Sequence, residues 1–169
     1  GGNGDRALVL EQIKAEVDLA NIAAALRLAR RPELMPLIRQ RYHAADVRPV
    51  LIEPAGYLSA ARLAELVAAG GGVEGIVADL RTTRYGPALE AGWQRYRAGE
   101  GGLAVLEREL ERWHATRTTA LFHGNPLGIG IAIGYMGCKE VEVANLRLIA
   151  QAVFLDMKRD QVQRDLIIL

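Results

Sequence analysis

Along the first part of the chain, apolar residues recur at alternating steps of three and four: Leu10, Ile13, Val17, Ala20, Ala24 and Leu28. That spacing predicts an amphipathic helix from Asp5 to about Arg30 with these side chains on its inner face, ended by Pro32. Helices continue to follow one another. One is predicted over Leu34–Tyr42, where Pro36 falls in the first turn and its missing N–H is harmless. Asp46–Tyr57 is the sole candidate for extended structure, but Pro49 and Pro54 make it a traversing loop. Ser59 is placed to cap a helix through Leu63, Leu66 and Val67 that stops at Gly70-Gly71-Gly72. A brief helix over Val73–Leu80 comes next. Gly86-Pro87 then opens another, carrying Leu89, Trp93 and Tyr96. Leu103–Phe122 sets Leu103, Leu106, Leu110, Trp113 and Arg117 along one side, with Glu107, Glu109, Glu111 and Arg112 largely away from it.

Beyond a loop at Gly124-Asn125-Pro126, Leu127–Lys158 reads as one long helix or two joined near Gly137. Gly130 and Gly134 stand four apart, so they expose backbone on one face and admit close approach of another helix. From Val141 to Val153 apolar residues surround almost the whole circumference, which predicts a central buried helix. The fold class is therefore all-α, a helical bundle. Its expected division is a helical segment over residues 1–45 and a helical domain over 46–169.

One phrase occurs twice: EVDLAN over Glu16–Asn21 and EVEVAN over Glu140–Asn145, 124 residues apart. Asp18 and Asn21 share a helix face, as do Glu142 and Asn145. An acid beside a carboxamide in an apolar helix is costly unless both groups find partners. The helix's own amides are already used, so the partners are expected to be backbone amides or side chains of a loop or adjacent helix. Lys14 is spaced to pair with Asp18, and Lys139 neighbours Glu142. A proton or metal site at each carboxylate would have one or two ligands per copy. A polar brace holding a repeated helical unit accounts for the phrase better. Asp18, Asn21, Glu142, Asn145 and Arg147 are the candidate structural polar positions, with Arg147 expected to reach a carboxylate of another helix.

Composition narrows the chemistry. At 169 residues and 50% apolar, the chain can bury a core and is not disordered. Its 21 basic and 20 acidic residues leave a net charge of +1, and aromatics make up 5%. That gives no reason to expect a nucleic-acid surface. Cys138 is the one cysteine, so no internal disulfide exists and a reducing compartment is the simpler expectation. The opening GGNGD is no signal peptide; it lacks a methionine, as expected of a chain that begins partway along a longer protein. The most apolar run, Pro126–Cys138, is 13 residues long, short of the roughly 20 that cross a bilayer.

His43, His114 and His123 lie on separate segments without ligand spacing, and no paired Glu-x-x-His motif suggests a metal. The run Gly128–Gly134 fails the Gly-x-Gly-x-x-Gly spacing of a dinucleotide loop. Cys138 has no histidine partner and reads as an inert thiol. Arg81, Arg84, Arg95 and Arg97 cluster around a loop and helix start, where they would face an acidic partner or form a solvated surface, the second being the simpler reading. No catalytic set and no cofactor site emerge.

The stretch Asn125–Ile149, NPLGIGIAIGYMGCKEVEVANLRLI, resembles the C-terminal signature of the C subunits of V/A-type rotary ATPases, whose vacuolar counterparts are the d subunits. Gly56-Tyr-Leu-Ser59 with Ala64-Glu-Leu66, and Leu80–Glu90, are similar to the family's middle motifs, and Glu16–Asn21 to an earlier copy of its Glu-x-Asp-x-x-Asn element. The resemblance implies an all-helical protein of three similar units around a pseudo-threefold axis, shaped as a funnel. It implies a non-catalytic central-stalk role, coupling D/F-type shaft subunits to the membrane ring of proteolipids and binding neither nucleotide nor ion. It further implies a cytoplasmic place, peripheral to the membrane, and that this chain is the C-terminal half of the protein. An unrelated helical adaptor, or a small helical enzyme built around Cys138 or the carboxylate–asparagine pairs, stays open as an alternative.

Overall fold

A computed structural model describes residues 2–54, 56–124 and 127–168. The chain is all-α, with no strand among the described residues. Its helices are α1 (Gly2–Arg30), α2 (Leu34–Tyr42), α3 (Ala60–Ala68), α4 (Gly72–Leu80), α5 (Gly86–Arg97), α6 (Leu103–Ala120), α7 (Gly130–Phe154) and α8 (Arg159–Asp165). Single 3-10 turns stand at Arg48–Val50 and Leu121–His123. The boundaries follow from local chemistry. The Ser59 hydroxyl accepts from the Arg62 amide at the start of α3, satisfying one of the donors a helix leaves open. Pro87 sits in the first turn of α5, where its fixed φ suits a helix.

The chain divides into two compact units, Leu10–Glu111 and Gly1–Val9 with Arg112–Leu169, so the division falls within α1 and within α6. In the first unit the core is made by Ile22 and Leu26 of α1, Leu63 and Val67 of α3, Ile76, Val77 and Leu80 of α4, Leu89 of α5 and Leu106 and Leu110 of α6. Gly92 lets α5 lie directly on α6: a Cβ there would stand 2.7 Å from Leu106 Cα.

The inner face of α1 differs from the predicted one. Leu10 and Ile13 are 44% and 51% exposed, and the buried stripe is Ala15, Asp18, Asn21, Ile22, Ala25, Leu26 and Leu28. The helix carries more than one apolar stripe, and the face that turns inward is the one bearing Asp18 and Asn21, over which the loop before α3 is laid.

The second unit is built on α7, a single helix uninterrupted at Gly137. It packs on the end of α6 and the 3-10 turn through its glycines. A Cβ on Gly134 would strike the Phe122 amide nitrogen and stand 2.7 Å from Phe122 Cα, and one on Gly137 would meet Thr118 Cγ2 at 2.7 Å. A Cβ on Gly130 would lie 3.2 Å from Leu8 Cδ2, and Asp5 Oδ1 accepts from the Ile129 amide at 3.2 Å. Ala115, Val141 and Ile167 form a small buried cluster. The expectation that α7 is buried all round is corrected here. Val143, Leu146, Ile149 and Val153 are 45%, 60%, 43% and 79% exposed, because the unit covers only one side of the helix. Asn125 and Pro126 of the predicted loop lie outside the described residues. No helix among the described residues is long and apolar enough to cross a membrane.

Two glycines separate packing from propensity. Gly134→Ala drives a methyl group into the Phe122 backbone, with an expected cost of about 1–3 kcal/mol. Gly75→Ala, inside α4 with nothing within 4 Å, is expected to gain up to about 1 kcal/mol. Urea-melting midpoints of the two variants should move in opposite directions.

Candidate functional site

A loop crossing a helical bundle has backbone N–H and C=O groups and no neighbouring strand to take them. In the first unit, α1 supplies the partners from side chains. Asn21 Nδ2 donates to the Ile52 carbonyl at 3.1 Å, and the Ile52 amide donates to Asn21 Oδ1 at 2.7 Å. A carboxamide has the donor and acceptor of a peptide unit, so Asn21 stands in for a stretch of β-ladder.

One helical turn towards the N-terminus, Asp18 receives the same loop further along. The Tyr57 amide donates to Oδ2 at 2.8 Å and the Leu58 amide to Oδ1 at 3.1 Å. The Tyr85 hydroxyl donates to Oδ2 at 2.7 Å. Asp18, Asn21 and Tyr85 are all buried. Gly56 is what brings the loop so close, since a Cβ there would strike the Lys14 carbonyl and the Asp18 carboxylate. Tyr85 is held in turn by Thr83, whose hydroxyl donates to the Leu80 carbonyl at 2.6 Å and accepts from the Tyr85 amide at 3.3 Å. Burial, with the Asp18 carboxylate beside its hydroxyl, pushes the phenol of Tyr85 well above its ordinary range.

Lys14 reaches the ring of Tyr57, with Nζ 5.4 Å from its centroid, and the Arg84 guanidinium lies 3.9 Å from the same centroid. The spacing of Lys14 and Asp18 suggests an ion pair between them; the carboxylate instead takes loop amides. Arg84 also pairs with Glu11, Arg81 with Glu90, and Arg95 with both Glu100 and Glu109. Three of the four clustered arginines are thus committed to carboxylates of the chain itself.

The second copy of the phrase repeats half of this arrangement. Asn145 Nδ2 donates to the Ile167 carbonyl at 2.8 Å and the Ile167 amide donates to Asn145 Oδ1 at 3.0 Å. Arg112 holds the approach to that segment, donating to the carbonyls of Arg164 at 2.8 Å and Leu166 at 3.3 Å. Glu142, in the place of Asp18, has its side chain 55% exposed and pairs with Lys139 at 2.7 Å. Arg147 is exposed and has no ion-pair partner on another helix among the described residues. Cys138 is a half-buried free thiol, and no group of three metal-ligating side chains occurs among the described residues.

Gly56 and Tyr85 lie within the stretches similar to the family's middle motifs, but the sequence gives neither of them a role. The tyrosine lies 67 residues from Asp18, and only its place before Gly86-Pro87, at the mouth of a helix, hints that it is fixed in position.

Replacing Asp18 by alanine leaves three donors without an acceptor, at an expected cost of about 3–5 kcal/mol in chemical denaturation. Tyr85→Phe costs about 1–2 kcal/mol near neutral pH. Its second effect carries a sign. The folded pKa lies above the unfolded value of 10.0, so the stability this phenol contributes is complete below that value. It falls as pH rises and the unfolded chain alone loses the proton, by up to about 1.4 kcal/mol per pH unit. Tyr85→Phe should therefore lose less stability than the parent when both are compared at about pH 9 and about pH 11.

Comparison with known proteins places these features in a family. The family model described as ATP synthase (C/AC39) subunit matches residues 1–164. The C subunit of the A-type ATP synthase of Methanobrevibacter smithii is 27% identical over 88% of this chain and 36% of its own length. That of Haloferax volcanii is 30% identical over 94% of this chain and 42% of its own length. That of Methanothermobacter thermautotrophicus is 34% identical over 63% of this chain and 27% of its own length. The chain therefore spans less than half the length of these relatives. No solved structure matches it significantly. On the extent of the family match, the chain belongs to the ATP synthase (C/AC39) subunit family.

Proposed function

We propose that this chain is part of a non-catalytic central-stalk subunit that couples the rotor shaft to the membrane proteolipid ring of a V/A-type ATPase or ATP synthase. The observation that carries the proposal is the family match over residues 1–164, together with relatives named as C subunits of A-type ATP synthases. The disposition of the polar groups supports it. Asp18, Asn21 and Asn145 spend their hydrogen-bonding capacity on the chain's own backbone, as suits a part that transmits force. Glycine-mediated contact of α7 with the end of α6 makes a stiff element by bringing backbones together.

The finer picture belongs to the same proposal. The full-length protein is built of three similar helical units arranged as a funnel, with D/F-type shaft subunits on one side and the proteolipid ring on the other. It is peripheral to the membrane on the cytoplasmic side. The duplicated phrase, with an asparagine in each copy bound to a downstream isoleucine, supports a repeated unit.

Native mass spectrometry of the full-length parent with the shaft subunits tests this. A stoichiometric complex is expected with the parent, and its persistence with residues 1–169 would put part of the grip within them. Folded samples that form no complex in either case would refute the coupling role.

A further inference from the structure

Between Leu51 and Ala60, both buried, the chain crosses α1 without sinking a side chain into the core. None of the described residues in 52–59 is buried, and Ile52 and Tyr57 are 49% and 45% exposed. What fastens this stretch is polar and lies along one turn of α1. Asn21 takes the amide and carbonyl of Ile52, and Asp18 takes the amides of Tyr57 and Leu58. Gly56 lies against the Lys14 carbonyl and the Asp18 carboxylate. On the outer side, the Tyr57 ring meets the cations of Lys14 and Arg84. The ends of the stretch are held differently, by Val47 and Leu51 in the core on one side and by Ala60 and Leu63 on the other. A segment with apolar anchors at both ends and polar fastenings between them opens at a lower free energy than the bundle around it, since its departure exposes little apolar surface.

We propose that residues 52–58 form a strap that lifts from α1 and closes again as one unit, uncovering Asp18 and Asn21 together while the helices beneath stay packed. Two features couple its fastenings. Asp18 and Asn21, 0% and 1% exposed, lie under the same stretch of chain. A carboxylate stripped of its amides but still covered is a buried charge without compensation, the costly state, so water has to replace the amides as they leave. Gly56 also stands between the fastenings, wedged against α1, so neither end lifts freely while the other lies flat. Tyr85 belongs to the bundle and not to the strap. Its hydroxyl, bonded to Asp18 Oδ2, keeps one donor on the carboxylate when the strap is open. The strap is a property of the first unit by itself and is independent of the rotary role.

Amide hydrogen exchange of the full-length parent, resolved by residue, reads this opening. The amides of Ile52, Tyr57 and Leu58 are expected to exchange through one event, with protection equal to within about threefold and nearly unchanged by low urea. Those of Leu26 and Leu89, in α1 and α5, should be protected about tenfold more or better. Asn21→Ala removes only the bonds to Ile52. It should nevertheless speed exchange at Tyr57 and Leu58 by the same factor as at Ile52, about tenfold or more. Lys14→Ala, at an exposed residue that leaves the interior untouched, should speed all three alike by about twofold. Faster exchange at Ile52 alone in Asn21→Ala, or at Tyr57 and Leu58 alone in Lys14→Ala, would make the fastenings independent and overturn the proposal. So would protection of the three amides equal to that of Leu26 and Leu89, which would mean that the strap leaves only when the bundle unfolds.

Discussion

Everything in the larger unit depends on how an all-helical protein disposes of a long loop without a sheet to receive it. A helix has its own amides and carbonyls bonded internally, so it can hold foreign backbone only with side chains. Asn21 does this with a side chain that reproduces a peptide's donor and acceptor together, and Asp18 with one that takes two amides side by side. Where that loop lies decides which stripe of α1 faces inward and where α3 begins. The phenol of Tyr85, at the start of α5, binds the same carboxylate and ties a second segment to the same point.

The smaller unit solves a different problem by subtraction. Along α7, glycines at 134 and 137 remove the side chains that would hold the helix away from the end of α6 and the 3-10 turn. Close contact on that side leaves the opposite side of α7 with its valines, leucines and isoleucines uncovered.

Helix positions are legible in the sequence because their signals are local: Ser59 as a cap, Pro32 and Gly70–Gly72 as stops, and Pro87 in a first turn. The inward face of α1 is not legible. Periodicity finds apolar stripes, but the choice between them is made by polar residues that hydrophobicity counts against burial. In the candidate site, the spacing of Asp18 and Asn21 shows that two polar groups share a face. It does not show that one partner lies 31 residues away and another 67, since nothing in a loop's composition marks which of its amides will be taken. For α7, an apolar circumference reads as complete burial. Apolar surface that the chain leaves uncovered looks the same in sequence as surface it covers.

The clamps at Asn21 and Asn145 hold main chain and ignore side chains. The residues at 52 and 167 are gripped through groups that almost any amino acid would offer, so the hold does not depend on their being isoleucine. Loops fastened in this way are free to change their outward-facing residues, or even their length between fastenings, while the bundle beneath keeps its form. The spans of 31 and 22 residues between clamp and clamped segment already differ within this one chain. Such an attachment lets one helical unit be copied and each copy acquire its own surface without a new solution to its interior.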